Sequence, residues 1–283
     1  MQIQSLKIKN VDYKITEEIG VGGQAAVFSA KNVTDHTIAV KISDFTLPRN
    51  WKGFSREMDT IQALKPWNHQ YLCNILAIEE LDEYGYIAME KYDCDIFEYI
   101  ERQDGISEEF GKNLFKKICI GLKNMHSSGI AHLDIKPENI MYDRKTKNPY
   151  IGDFGCSYNF SQKRTCSLLG GTQYFHPPEY ASCSPFDPVK SDIFSLGVTL
   201  HVLLTGYYPY DVNENVDKRH LYINDELSPE CKNLLCKMLN KNPKKRISLD
   251  GIMHHPWVLN KKQQSKLKKV TYSISKHAKN ILK

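Results

Sequence analysis

The hydrophobic pattern changes period near residue 93, and that change restricts the chain to a fold with one part built from strands and another from helices. Residues 13–19 alternate, glycines follow, and 26–30 and 37–42 are apolar runs that read as strands. Within 51–64, Phe54, Met58, Ile61 and Leu64 step by 4, 3 and 3, which is one stripe of a helix. Residues 74–80 and 84–89 read as two more strands about a turn at Asp82-Glu83. Beyond residue 93, Ser107-Glu-Glu109 opens a helix with acids in its first turn. It carries Phe110, Leu114, Phe115, Ile118, Leu122 and Met125 to a stop near Ser128-Gly129. Residues 190–205, 228–240 and 248–255 are also helix-like, and Ser228-Pro229 suits an N-cap followed by proline. The expected class is α+β: a small antiparallel β lobe with one main helix, then a larger, mainly α-helical lobe. The hinge falls at Glu90 to Cys94, beside the kind of crevice where ligands bind.

Composition narrows the function classes. With 283 residues, 41% hydrophobic and 25% charged, the chain is unlike disordered, collagen-like or coiled-coil sequences. The longest nearly apolar stretch, 194–204, is broken by Ser195, Gly197, Thr199 and His201 and is too short to cross a bilayer. Gln2, Ser5, Lys7 and Lys9 leave no apolar segment of a secretory signal. None of the eight cysteines forms a C-x-x-C pair, which argues against zinc and for reduced thiols in the cytoplasm or nucleus. The net charge of +5 is misleading, because 259–283 is a basic tail with eight lysines and no acid. The first 260 residues are net −3, so no specific nucleic-acid partner is expected.

The chemistry-bearing residues come in order. Gly20-Val21-Gly22-Gly23 sits between two strands, where bare backbone can lie over phosphates; alone, it also reads as a plain hairpin turn. Lys41 ends Ala39-Val40-Lys41, and Glu57 lies on the next helical stretch; as a pair they can hold an ammonium against phosphate oxygens. The most informative segment is His132-Leu-Asp134-Ile-Lys136-Pro-Glu-Asn139, followed by Asp153-Phe-Gly155. Asn139 and Asp153 offer the hard oxygens that magnesium takes. Asp134 can orient a hydroxyl nucleophile, and Lys136 can neutralise charge on a group in flight.

Together these residues resemble the eukaryotic-type protein kinases over about 13–258, with 13–90 as the small lobe and 95–258 as the large. The resemblance implies an ATP- and magnesium-dependent phosphotransferase, with manganese as a substitute metal. Gly20, Val21, Gly22 and Gly23 would form the ATP loop, with Gly20 and Gly22 over the phosphates. Val27 and Ala39 would cap the adenine from above and Met141 from below. Lys41 would contact the phosphates and pair with Glu57. Met89 would be the gatekeeper, and Glu90 to Tyr92 the hinge. Asp134 matches the catalytic base, and Asn139 and Asp153 match the metal ligands. Glu179 would pair with Arg246 as a buried bridge, and Asp192 would anchor the catalytic-loop backbone.

Lys136 and Thr172 follow the serine/threonine pattern. His132-Leu-Asp134 and Asp153-Phe-Gly-Cys-Ser157 are similar to Mos-type kinases, and the general tenor is similar to the calcium/calmodulin-dependent group. Ala25 replaces a third loop glycine, which implies a stiffer loop. Leu133 replaces the arginine that usually gathers an activation-loop phosphate. Activity is therefore expected not to depend on phosphorylation at Ser157, Ser161, Thr165 or Ser167. Glu138 and Asp95 suggest protein substrates with basic residues near the acceptor. In the tail, Leu267, Val270, Ile274, Ala278 and Ile281 step by 3, 4, 4 and 3, which as a basic amphipathic helix would suit calmodulin or an anionic membrane, although 270–275 is a poor helix former. Lys268-Lys-Val-Thr271 could instead mimic a basic substrate in the cleft, and a solubilising, loosely docked tail is the plain alternative. The alternative functions are a pseudokinase scaffold of the same fold and a small-molecule kinase. Retention of Lys41, Glu57, Asp134, Asn139 and Asp153 disfavours the first, and the segment from Gly171 to Glu179 disfavours the second.

Overall fold

The computed structural model describes residues 4–259 apart from 24, 67, 68, 82, 104, 168, 169, 183, 216 and 217. Six strands form one antiparallel sheet: β1 (Ser5–Ile8), β2 (Val11–Val21), β3 (Ala26–Lys31), β4 (Thr37–Asp44), β5 (Ile75–Glu80) and β6 (Tyr84–Glu90), in the order β1-β2-β3-β4-β6-β5. Period-2 alternation sorts their side chains. Ile38, Val40 and Ile42 of β4 pack with Phe28, Ala30, Tyr86 and Ala88 on one face, closed by Leu6, Ile8 and Tyr13. Ala39 and Lys41 are thereby turned to the other face, where the register sets Ala39 opposite Met89 and Lys41 opposite Ile87. Helix α1 (Pro48–Ala63) crosses that face with Asn50, Gly53, Phe54, Glu57, Thr60 and Ile61 buried.

The larger lobe is helical. Helices α2 (Ile96–Glu101), α3 (Glu108–Ser127), α4 (Pro188–Thr205), α5 (Pro229–Met238) and α6 (Leu249–Met253) share one core that continues through Phe154 to Phe54 and Ile61 of the small lobe. Local signals account for their ends. Asp95, Ser107, Asp187, Ser228 and Ser248 each accept a backbone N–H at a helix start, and Pro follows the cap in α4 and α5. Gly206, at φ 75°, ends α4 in the left-handed region that glycine enters without strain. Helix α4 runs through the centre of the lobe, buried from Ser191 to Leu203. Among the described residues no helix is long and apolar enough to cross a membrane.

The small lobe is thus a sheet with one main helix and the large lobe a helical body, as the pattern implied. The structure adds elements that periodicity did not reveal. These are β1, helix α2, the short strand β7 (Cys94–Asp95), the hairpin β9 (Ile140–Asp143) with β10 (Asn148–Ile151), and the two-residue pair β8 (Ile130–Ala131) and β11 (Tyr158–Asn159). Helix α1 starts at Pro48, earlier than the stripe from Trp51 suggested. The basic tail lies outside the described residues.

A buried ion pair ties the large lobe together. Arg246, 2% exposed, donates to Glu179 Oε1 at 2.7 Å and Oε2 at 2.8 Å, and its Nε donates to the Asn240 carbonyl at 3.0 Å. Its guanidinium also lies 5.0 Å from the Phe194 ring centroid. Arg246→Met would leave the Glu179 carboxylate buried without its cation, so the expected loss of unfolding free energy is about 3–5 kcal/mol. A urea-denaturation midpoint unchanged by that substitution would show the bridge to be dispensable.

Candidate active site

Three elements converge on one ammonium group. Lys41 Nζ lies 2.7 Å from Glu57 Oε2 and 3.0 Å from Oε1, and 2.8 Å from Asp153 Oδ1. β4 supplies the lysine, the buried stripe of α1 supplies the glutamate, and the turn after β10 supplies the aspartate, at φ 54°. Burial alone would lower the Lys41 pKa, but the two carboxylates outweigh it and the value is raised. Burial pushes Asp153 up, yet Lys41 pulls it down to about 2. For Glu57, burial outweighs the lysine and its pKa is raised. Asp153 is therefore the anion most firmly held in its charged form, and its side chain is half exposed toward the cleft.

The cleft between the lobes has a volume of about 430 Å³. Gly20, Val27, Ala39, Met89 and Met141 line it with Glu90 and Tyr92, and Lys41, Glu57, Asn139 and Asp153 contribute its polar groups. Val21, Gly22 and Gly23 are not among the lining residues. Gly20 pairs with Val27 and Val21 with Ala26, so the glycine cluster is the turn of the β2–β3 hairpin, closed by Gly22 N–H donating to the Ala25 carbonyl at 2.8 Å. Neither Ala25 nor any of the three glycines has a left-handed φ. The expected stiffening from Ala25 therefore has no strained backbone behind it here.

The segment between β8 and β9 is held from beneath by α4. Asp192 Oδ1 accepts the Leu133 N–H at 2.7 Å, and Oδ2 accepts the His132 N–H at 2.9 Å and His126 Nε2 at 2.8 Å. His132 Nδ1 accepts the Asp134 N–H at 3.2 Å, so its proton lies on Nε2, which donates to the Gly152 carbonyl at 2.9 Å. Asn139 Nδ2 donates to the Asp134 carbonyl at 2.8 Å and to its Oδ2 at 3.0 Å. Asp134 Oδ1 accepts the Thr172 N–H at 2.8 Å, and Lys136 Nζ donates to Thr172 Oγ1 at 2.7 Å while lying 3.6 Å from Asp134 Oδ2. Thr172 thus meets Asp134 through its backbone and Lys136 through its hydroxyl. The preceding Gly171, at φ 86°, could not be replaced: a Cβ there would lie 2.5 Å from the Leu133 carbonyl.

Leu133 occupies an apolar cluster. At φ 61° and 3% exposure it packs with Ala131, Phe160, Cys166, Tyr180 and Phe186. Main-chain bonds hold the same segment: β11 pairs with β8, and Cys166 and Phe186 exchange N–H···O bonds at 2.9 Å in both directions. The four hydroxyl residues named for this segment differ in exposure. Ser157 is 2% exposed with its hydroxyl toward the His132 carbonyl, so it is no surface phosphorylation site. Ser161, Thr165 and Ser167 are exposed.

Two further residues separate on inspection. Both line the cleft, but Glu138 is exposed, whereas Asp95 also caps α2 by accepting the Glu98 N–H at 2.8 Å. The sequence reading missed Ile19, Cys73, Ile75 and Ile87 as lining residues, and His126 as a support of Asp192. Ile87 was recoverable, since it opposes Lys41 in the β4–β6 register; His126 carries no local signal.

The residues present fit a hard divalent cation. Both contacts of Asn139 Nδ2 are acceptors, which leaves Oδ1 as its remaining acceptor, and Asp153 keeps a carboxylate oxygen beyond the one engaged by Lys41. Two oxygens on the cleft wall, one anionic at neutral pH, are donors that magnesium or manganese accepts.

Residues 13–258 match the protein kinase domain family. The chain is 30% identical over 259 residues to sperm motility kinase 3A of Mus musculus, covering 88% of this chain and 50% of that protein. It is 29% identical over 259 residues to the maternal embryonic leucine zipper kinase of Xenopus laevis, covering 87% of this chain and 39% of the relative. To serine/threonine-protein kinase pim-2 of Danio rerio it is 26% identical over 280 residues, covering 91% and 90%. The chain thus spans half or less of the length of the first two and nearly the whole of the third.

The charge geometry makes a titration prediction. Lys41→Met removes the cation that depresses Asp153, so its carboxyl pKa should climb from about 2 to the ordinary ~3.9 or above, since burial, which pushes it up, is then less opposed. In the wild type this depression stabilises the fold above the unfolded value and is lost as pH falls toward 2, so the variant should also lose that acid-range contribution. Carboxyl-carbon NMR titration of both proteins checks it; an Asp153 value that stays near 2 would assign the depression to another group.

Proposed function

The chain belongs to the protein kinase family, and from that premise we propose that it transfers the γ-phosphoryl group of ATP to serine or threonine hydroxyls of protein substrates. The observation that carries this reading is the ammonium of Lys41 held between Glu57 and Asp153 at the inner end of a cleft with apolar walls. Val27 and Ala39 on one side and Met141 on the other suit the flat faces of adenine. Lys41 then meets the phosphates, its position set by Glu57. A magnesium or manganese ion held by Asn139 and Asp153 would supply charge neutralisation at the phosphate oxygens.

Asp134 is the residue proposed to orient the acceptor hydroxyl and take its proton. Its carboxylate is fixed by the Thr172 N–H and by Asn139, so it faces the substrate with little freedom. Lys136 is proposed to neutralise charge on the phosphoryl group as it moves. The Lys136–Thr172 contact supports serine/threonine over tyrosine specificity. Exposed Glu138 at the cleft supports a preference for basic residues near the acceptor; Asp95, engaged as a helix cap, contributes less. Buried free thiols at Cys73, Cys94, Cys119 and Cys231 support a reducing compartment, the cytoplasm or nucleus.

Activity is further proposed not to require activation-segment phosphorylation. Leu133 cannot bind a phosphate, and packing plus main-chain pairing orders the segment instead. Changing Ser161, Thr165 and Ser167 together to Ala should alter turnover by less than ~10-fold, which corresponds to ~1.4 kcal/mol. A larger loss in a folded variant would refute this.

The main test is phosphorylation of a degenerate peptide library by the purified chain, with Asp153→Ala as the blank. Magnesium-dependent labelling of serine and threonine peptides enriched in Arg or Lys is expected. Asp134→Asn should reduce turnover by about 10²–10⁴-fold. Absence of ATP turnover in the wild type would favour the scaffold reading, and labelling confined to tyrosine would overturn the assigned specificity.

A further inference from the structure

The helical lobe carries a second concave surface, a groove of about 810 Å³ outside the nucleotide cleft. Its walls come from α2, the turn into α3, the end of α4 and the chain around Asn224. Phe97, Ile106, Leu204 and Tyr207 make it apolar, Glu101 and Glu226 are its charged residues, and no Lys or Arg lines it. Neither carboxylate forms an ion pair among the described residues. No helix forms among the described residues of 206–228. Tyr207, just after α4, is 74% exposed. Exposed aromatic surface beside unpaired carboxylates suits an occupant that is both apolar and cationic.

This chain contains such a segment, and it starts close by. Trp257 Nε1 donates to Glu108 Oε1 at 2.6 Å, and Glu108 directly follows Ser107, which lines the groove. The described chain ends two residues later, at Leu259. The sequence continues into eight lysines without an acid, interleaved with Leu267, Val270 and Ile274. An extended chain covers up to ~3.4 Å per residue, so the step from Leu259 to Leu267 spans up to about 27 Å from a point two residues past the Trp257–Glu108 contact beside the groove.

We propose that residues 261–283 dock in cis into this groove, with the apolar residues from Leu267 onward covering Phe97 and Tyr207 and the lysines meeting Glu101 and Glu226. The contact is independent of phosphoryl transfer, so its failure would leave the kinase reading untouched.

Hydrogen–deuterium exchange on the full-length chain at low salt tests it. One variant carries Lys266→Glu, Lys268→Glu and Lys269→Glu; a second carries Glu101→Lys and Glu226→Lys, both exposed positions; a third combines them. Each single set should raise exchange about threefold or more in peptides covering 96–107 and in the tail, and the combination should restore protection through the swapped charges. Equal exchange in wild type and tail variant would overturn the proposal. So would protection that rises with protein concentration, which would place the tail of a second copy in the groove. Tail protection seen only with added calcium–calmodulin or phosphatidylserine vesicles would equally overturn it.

Discussion

The site depends on one shared charge. Lys41 faces two carboxylates that are far apart in the chain and carried by different elements. Each carboxylate alone would be costly to keep partly buried, and each is held charged or in place by the same ammonium. The ion triad therefore does more than prepare a phosphate site. It sets the relation between β4, α1 and the turn at Asp153, and so the approach of the sheet to the helical lobe. The apolar contact of Phe154 with the core beneath α1 reinforces the same arrangement.

The other half of the site rests on a second anion. Asp192, on the central helix, takes up N–H groups that the segment after β8 would otherwise bury without partners. That frees the segment from making a regular strand. It can bend through Leu133 at φ 61° and bring Asn139 to the cleft wall, with Asp134 hydrogen-bonded to Asn139 and Lys136 beside Asp134. Strain of this kind persists because the surroundings over-determine it: two hydrogen bonds from Asp192, one from His132 and the apolar cluster around Leu133 all act on three consecutive residues.

That cluster also shows how a leucine is accommodated at position 133. A buried leucine needs only apolar neighbours, and Phe160, Tyr180 and Phe186 provide them.

Much of this was legible in the sequence. The long helices, five strands of the six-stranded sheet and the two-lobed division follow from periodicity and caps, because burial of one face writes itself into residue spacing. The residues of the site were legible as types: an ammonium, hard oxygens, a proton acceptor. Strands of two residues, such as β8 and β11, were not, since each exists only through its partner. Nor was the cap that engages Asp95, the support of Asp192 by His126, or the burial of Ser157. The sequence alone determined which chemical groups this chain could bring to a nucleotide and in what order. Tertiary structure alone decided which of them share a proton or a charge, because ionisation and hydrogen bonding depend on distances between residues that local pattern does not relate.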